Sequence, residues 1–416
     1  MKITADLHIH SKYSRATSGK MNVLELSESA KVKGVNLLGT GDFTHPKHLA
    51  DLKMGLEDAG DGVFKKNDVY FILSTEIANL FTWEKKGRKV HNVILAPSFE
   101  IVDQINERLL KWGRLDYDGR PMFGKTCVEL MDLCKSVSKD ITVICAHAWT
   151  PWFAVFGSNS GFDRLEDCFQ EHTKDIFAIE TGMSSDPAMN WRLSALDKVS
   201  LVSFSDAHSP YPWRLGREAS VFELDKPDYF EMIKAIRDKD KDKFLYTIET
   251  DPSYGKYHYD GHRGCNVVLS PEEAKKYNNI CPVCRKQLTI GVAHRVEELA
   301  DRPPGFVPKD AIPFKTLLSL SEIIAGVFNT SVESKAVWRE FNQAIKTFGN
   351  ELSILLDLSE EQLKKELNGK VVDVIMKGRE GKIKIKPGYD GVYGTPVFEE
   401  TETVSDSKKQ KSLLDY

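Results

Sequence analysis

The chain of 416 residues has no apolar run of the length a membrane-spanning helix needs, about 20 residues, and no membrane association is expected. It opens without a basic and then apolar leader. Met1-Lys2-Ile3-Thr4-Ala5-Asp6 reads as the start of a strand, so no signal peptide is expected. A charge excess of one sign is also missing. Lys and Arg total 57 against 61 Asp and Glu, a net charge of −4, which excludes a uniformly basic nucleic-acid binder and leaves only local basic patches. The seven cysteines are not laid out as a secreted disulfide framework. Cys127, Cys134, Cys145 and Cys168 fall in apolar segments and read as buried thiols. No Gly-x-x-x-x-Gly-Lys-Ser/Thr loop occurs, which excludes Walker-type ATP hydrolysis. Glutamine is scarce, at six, against abundant Lys and Glu, which leans towards a thermophile. These absences together predict a cytoplasmic, intracellular protein, nucleoid-associated only if a resemblance to DNA-acting enzymes supplies the reason.

What is present is a recurring pairing of apolar β-type runs with histidine and carboxylate. Asp6-Leu7-His8-Ile9-His10 opens the chain; Asp42 and His45 follow Val35–Thr40; Glu76 follows Tyr70–Ser74; His91 begins Asn92–Leu95; His147 ends Ile141–Ala146; Asp206-Ala207-His208 ends Leu201–Ser205. In an extended strand the side chains of His8 and His10 share a face, as do those of Asp206 and His208, so each pair is able to grip one ion. Strands that deliver ligands at their C-terminal ends are how a β/α barrel builds its active site. A single histidine at a strand end is more often structural than a ligand, but six of the 11 histidines in this one pattern point to a multinuclear site. Imidazole with carboxylate suits Zn, Mn, Mg or Fe.

The motifs Asp-Leu-His-Ile-His, Gly-Asp-Phe-Thr-His, Ser-Thr-Glu, Val-His-Asn, Ala-His-Ala and Ser-Asp-Ala-His resemble those of the PHP (polymerase and histidinol phosphatase) phosphoesterases. The resemblance implies an α/β fold, a distorted (β/α)7 barrel with two or three divalent ions at its rim. Its ligands, carried over position by position, would be His8, His10, Asp42, His45, Glu76, His91, His147, Asp206 and His208. Asp206, Glu76, His8 and Asp42 would serve the chemistry, Glu76 as the bridging carboxylate and Asp206 as the group that orients water. Two departures stand out: Phe43 and Thr44 separate Asp42 from His45, and Arg15 lies where the family carries another histidine, placed there to meet a phosphate.

Residues 1–250 alternate strand and helix patterns, with helices expected at Asn22–Lys33, Ile101–Leu110, Lys125–Val137, Leu165–Gln170 and Asp228–Asp238. The loop 147–161 carries Trp149, Trp152, Phe153 and Phe156, either as a cap on the barrel or as a stacking platform for a nucleobase. Glu180, at the start of another rim loop, reads equally as a metal or substrate contact and as a barrel ion pair. Arg214 and Arg217, just after Asp-x-His, are candidates to clamp phosphate.

Residues 251–300 hold His262-Arg-Gly-Cys265 and Cys281-Pro-Val-Cys284, zinc-ribbon spacing for one structural zinc. His262 is the favoured fourth ligand, with His294 the alternative and His258 nearby. Such closed sites fold small modules with about 10 kcal/mol or more of binding energy. After the Pro-rich connector at 301–308, residues 301–396 read as a mainly helical domain, with Leu317–Phe328, Ser334–Phe348 and Ser359–Leu367 as helices; Ser359 and Gln362 form a capping-box pattern. Gly381–Gly394 alternates Lys and Ile before Gly-Tyr-Asp-Gly-Val-Tyr-Gly, its lysines solvated or facing phosphates. Residues 397–416 read as a disordered tail. Its end, with Gln410, Leu413 and Tyr416, is similar to a sliding-clamp (PCNA) interaction box that lacks the second aromatic.

Across its length the chain looks like the endonuclease Q branch of the PHP proteins, found in archaea and some bacteria. That resemblance implies a metal-dependent DNA repair endonuclease that hydrolyses the phosphodiester 5′ of deaminated bases (uracil, hypoxanthine, xanthine) and of abasic sites in double-stranded DNA. A PHP-type small-molecule phosphatase is the alternative enzyme, and a non-catalytic DNA-binding accessory protein the alternative of another class.

Overall fold

The structure, a computed structural model, describes residues 1–398. Its main sheet is built from β1 (Lys2–Asp6), β2 (Leu37–Gly39), β3 (Val69–Trp83), β4 (Lys86–Ala96), β5 (Thr142–Cys145), β6 (Ala178–Glu180), β7 (Ser200–Val202), β8 (Ala219–Glu223), β9 (Phe244–Glu249) and β10 (Phe314–Thr316). The path across it is β7-β6-β5-β4-β3-β2-β1-β8-β9-β10. The stretch from β1 to β7 curls until the chain beyond its two ends meets: Ile9 bridges Ala207, and the His10 N–H donates to the Ala207 carbonyl at 2.9 Å. β1, β2 and β3 run parallel, as do β5, β6 and β7. β4 runs against both its neighbours. This reversal explains why His91 precedes its apolar run while the other site residues follow theirs.

Both faces of the curled sheet are buried, as the near-continuous apolar runs of its strands require. Leu38, Leu73, Ile94, Val143 and Ile179 share one core with residues of the helices Val23–Lys33, Pro46–Gly55, Phe99–Leu109 and Cys127–Val137. Their sequence neighbours Leu37, Ile72, Val93, Ile144 and Ala178 point the other way and pack with the helix Tyr229–Asp238. β3 and β4 form a long hairpin closed by Glu84 and Lys85 at φ 48° and 64°. Positive φ at both turn positions matches the twist of the flanking strands, here without the usual Gly or Asn.

Most of the expected helices are present with small shifts at their ends, but Ser359–Leu367 shrinks to Glu360–Leu363; Pro46–Gly55, with Pro at its first position, is one of the additions. Ser359 and Gln362 make the expected capping box on Glu360–Leu363. The helices Leu320–Val327, Lys335–Phe348, Glu351–Leu356 and Gly369–Arg379 enclose their own core of Leu320, Ile324, Phe341, Ile354, Val371 and Ile375. A strand and a buried ion pair are among the ties that bind this bundle to the barrel. β10 adds to β9 in parallel. The Lys33 ammonium, buried on the first barrel helix, lies 3.2 Å from the equally buried Glu351 carboxylate, which also accepts the Leu320 N–H at 2.7 Å.

Candidate metal centre

His8 and His10 lie just beyond β1 with ring centroids 5.4 Å apart. Glu76 sits inside β3, opposite Val93, and His91 one step along β4, opposite Ala78. His147 follows β5, and Asp206 and His208 follow β7. The curl of the sheet gathers these seven side chains into three overlapping groups with ligand atoms within 4.8 Å of one another: His8, His10 and Glu76; His10, Asp206 and His208; Glu76, His91 and His147. Glu76 belongs to two groups and reaches both, with His10 Nε2 3.4 Å from one oxygen and His91 Nδ1 2.6 Å from the other. His8 Nε2, His10 Nε2 and Asp206 Oδ1 are buried and make no hydrogen bond. Buried polar atoms normally find partners. Two imidazole nitrogens set between the carboxylates of Glu76 and Asp206, at 3.1–3.7 Å, fit divalent cations.

The electrostatics suit the same purpose. Burial alone would push the Glu76 carboxyl up, but His91 and Arg120 beside it hold it well below the usual carboxylate range. Burial pulls His91 down to about 4, so its imidazole is neutral and has a lone pair to give. Backbone strain concentrates here as well: Asp42, His147 and Asp206 have φ of 44°, 27° and 49°. A non-glycine residue held there costs about 1 kcal/mol or more, and such conformations cluster at functional sites.

Two expected ligands lie outside these groups, and Arg15 lies away from them. Asp42 is in none of the ligand groups. Its Oδ1 lies 3.0 Å from His10 Nδ1, and its Oδ2 accepts the Ser11 N–H and the hydroxyls of Ser11 and Ser14. It therefore orients a ligand histidine and fixes its tautomer. Glu180 does the same for His8, 2.8 Å from Nδ1. His45 is also outside the groups; its ring stacks on Tyr13 at 4.4 Å. Arg15 is largely exposed, lies over the Tyr117 ring and pairs with Asp118.

The cation that does reach the cluster is Arg120, whose Nη1 donates to Glu76 Oε2 at 2.9 Å. Its loop is fastened to the ligand scaffold: Thr44 donates to the Gly119 carbonyl, and the Gly119 N–H donates to Tyr13 O. Gly119 lies so close to Asp42 that a Cβ would sit 2.3 Å from Oδ2. Sequence reasoning missed Arg120, whose only signal is the turn-like Asp118-Gly119-Arg120-Pro121.

Above the cluster opens a cleft of about 220 Å³ that includes His147, Glu180, Asp206, Arg217, Lys256, Tyr257 and Tyr393. The aromatic loop divides between core and cleft rim. Trp149 is fully buried, packs on Phe156 and donates from Nε1 to Asn190 Oδ1 at 2.8 Å, so its expected substrate role is corrected to a structural one. Trp152 is 40% exposed and meets the edge of Tyr257. Phe153 packs on His91. Arg214 lies over Tyr393.

In the zinc module His262, Cys265, Cys281 and Cys284 place their ligand atoms within 4.8 Å of one another. Desolvation pushes the Cys281 thiol up, but backbone amides of Cys284 and Val283 bring it below its usual value, as a thiolate ligand needs. His294 is engaged elsewhere, buried with Nδ1 2.5 Å from Asp260. His258 stacks on Tyr259.

Comparison with known proteins covers both the parts and the whole. A family model for the MJ0043 C-terminal domain matches residues 319–382. The uncharacterized protein MJ0043 of Methanocaldococcus jannaschii is 37% identical over 265 residues, 61% of this chain; the match spans only 31% of that longer protein. The uncharacterized protein YqxK of Bacillus subtilis is 26% identical over 407 residues, covering 94% of this chain and 98% of that one. The crystal structure of the lesion-specific endonuclease PfuEndoQ from Pyrococcus furiosus superposes with a TM-score of 0.87 at 34% identity, covering 96% of each chain. Endonuclease Q in complex with a 27-mer duplex carrying an abasic lesion at the active site gives 0.86 at 34% identity, covering 96% of this chain and 97% of that one.

Proposed function

The chain belongs to the endonuclease Q family, with its PHP-type fold, and from that premise we propose that it is a metal-dependent DNA repair endonuclease. It hydrolyses the phosphodiester 5′ of deaminated bases and abasic sites. The observation that carries this reading is the set of orphaned ligand atoms around Glu76, placed directly beneath an aromatic and cationic cleft. His8, His10, Glu76, His91, His147, Asp206 and His208 would hold two or three divalent ions, of Zn, Mn, Mg or Fe. Bound there, the ions supply Lewis acidity for water attack and offset charge on the phosphate.

The protein's own part is positioning. Asp42 and Glu180 set the orientation of His10 and His8. Asp206 Oδ1, 3.1 Å from His10 Nε2 at the edge of the cleft, is placed to orient the attacking water. Arg120, fixed at the edge of the cluster, offers a guanidinium to a non-bridging phosphate oxygen. A damaged base has to leave the stack to be inspected, at a cost of roughly a few kcal/mol that is smaller for mispaired or missing bases. Trp152 and Tyr257, one from the barrel rim and one from the start of the zinc-bearing region, form the edge that receives the extruded nucleotide. The zinc module, with His262, Cys265, Cys281 and Cys284 on one structural zinc, holds that wall in place.

The test is an end-labelled duplex panel with normal, uracil, hypoxanthine and abasic sites, with and without EDTA. Cleavage confined to the lesion strands and abolished by EDTA is expected. Hydrolysis of soluble phosphomonoesters without any strand cleavage would replace this reading with the phosphatase one. Binding without cleavage at any metal concentration would leave only a DNA-binding accessory.

The clamp-box residues Gln410, Leu413 and Tyr416 lie outside the described residues. Recruitment by a sliding clamp is part of the proposal on sequence grounds. Titration of the full chain against a clamp ring, with a chain ending at residue 409 as control, tests it: equal affinity removes the tail from the interaction.

A further inference from the structure

The Gly-Tyr-Asp-Gly-Val-Tyr-Gly stretch does not lie with the helical bundle that precedes it. It is fastened to the chain that enters the zinc module. The N–H groups of Gly388, Gly391 and Gly394 donate to the carbonyls of Ser253, Lys256 and Tyr254. Asp390 accepts the Arg263 N–H and the Thr289 hydroxyl. The approach is close: a Cβ on Gly394 would sit 2.2 Å from the Ser253 carbonyl oxygen. These contacts hold a loop with no apolar core of its own, and their effect is to set Tyr393, 38% exposed, in the wall of the cleft above the metal centre.

Three cations converge on that tyrosine. Lys256 Nζ is 4.7 Å from its ring centroid and the Arg214 guanidinium 5.7 Å. Arg217 shares the cleft with it, one Nη donating to the Ser205 carbonyl at 3.1 Å while Nε is buried without a partner. Arg120, Arg192, Arg295 and Arg302 all pair with a carboxylate. Among the described residues, Arg214, Arg217 and Lys256 have none within 4.0 Å. Desolvation works against ionisation of the Tyr393 hydroxyl, yet the field of Arg214, Lys256 and Arg217 draws it below the usual tyrosine range. Unneutralised positive charge beside a hydroxyl donor, in a cleft that also holds the site's acids, is a receptor for an anion of phosphate type.

We propose that Tyr393, Arg214, Arg217 and Lys256 form a phosphate subsite separate from the metal centre, which grips a phosphodiester neighbouring the one that is cut. The inference rests on the repair-endonuclease reading and adds to it a fixed register. One phosphate held at Tyr393 and the next on the metal centre would set which linkage is hydrolysed relative to the lesion. The C-terminal loop is then part of the substrate site.

The test is a methylphosphonate scan. Abasic duplexes carry a single neutral methylphosphonate at each linkage flanking the lesion in turn, and Kd is measured in EDTA for wild type, Arg214→Gln, Lys256→Met and Tyr393→Phe. Wild type is expected to lose about tenfold in affinity at one linkage other than the scissile one. The variants should bind the unmodified duplex about tenfold more weakly, show no further loss at that linkage, and have a salt slope lower by about one. Zinc content and thermal midpoint identify a variant that has misfolded, and Tyr393→Phe, which keeps the ring, serves as the mildest probe. Losses that simply add at every linkage, or a Lys256→Met protein with wild-type Kd and salt slope, would overturn the subsite while leaving the endonuclease intact. A wild-type protein that neither binds nor cuts the unmodified abasic duplex would overturn the repair reading and this subsite with it.

Discussion

Arg120 Nη1 and His91 Nδ1 contact opposite oxygens of Glu76, at 2.9 and 2.6 Å. The carboxylate that belongs to two ligand groups is therefore also the one neutralised by a fixed guanidinium. An arginine so close to a cation site opposes metal binding, which makes sense only if its charge serves the substrate. Arg120→Met should leave metal affinity equal to or higher than wild type while kcat on an abasic duplex falls about 100-fold. Metal titration and single-turnover kinetics on the same preparations check this. Weaker metal binding with kcat restored at saturating metal would reduce Arg120 to a support for Glu76.

Asp42 and His45 should separate cleanly. Asp42→Asn removes the charge behind His10 and should weaken metal affinity about 10- to 100-fold, as loss of a group supporting a ligand does. His45→Ala leaves every ligand group whole and should leave metal stoichiometry unchanged. Elemental analysis after dialysis against graded metal concentrations gives both answers.

Two tryptophans of one loop should fail in different ways. Trp149→Ala empties a fully buried site and should cost about 3–5 kcal/mol of stability. Trp152→Ala should keep the thermal midpoint and lose roughly 1–3 kcal/mol of affinity for a lesion duplex, the worth of one stacked base. Denaturation and binding curves for the pair check it, and unchanged lesion binding by Trp152→Ala would remove that ring from the substrate site.

Behind the metal centre, burial pushes the Glu249 carboxyl from 4.5 up to about 8. Folding therefore takes up a proton between these values. Stability from this group is complete at acidic pH and is lost as pH rises through about 8. Glu249→Gln, which keeps the shape without the charge, should flatten that decline and give a higher Tm than wild type above pH 8. A wild-type Tm that stays level between pH 5 and 9 would show that Glu249 does not titrate in this way.

The sequence reveals the strand-borne ligands because a period of two and an apolar run suffice to place them. His8 and His10, or Asp206 and His208, have nowhere else to point. It does not reveal what a carboxylate does once there. Asp42 and Glu76 are both buried acids beside histidines, and only the orientation of their oxygens separates the group that steers an imidazole from the one open to a cation. Arg120 escaped because a short turn carries no periodicity. Trp149 stayed open between cap and platform because a ring in a Gly- and Ser-rich loop looks exposed until Phe156 and Asn190 are seen around it. The strand Phe314–Thr316, only three residues long and following a Pro-rich stretch, is too short to announce that it joins a sheet formed 65 residues earlier in the chain.

The meeting of Ile9 with Ala207 gives the site a history as well as a shape. Two of the three ligand groups, His8 with His10 and Glu76, and Glu76 with His91 and His147, draw only on the first half of the chain, whereas the third pairs His10 with Asp206 and His208 from far along it. A chain that ended before that point would lack the third group, so a centre that needs all three is complete only once the barrel is sealed.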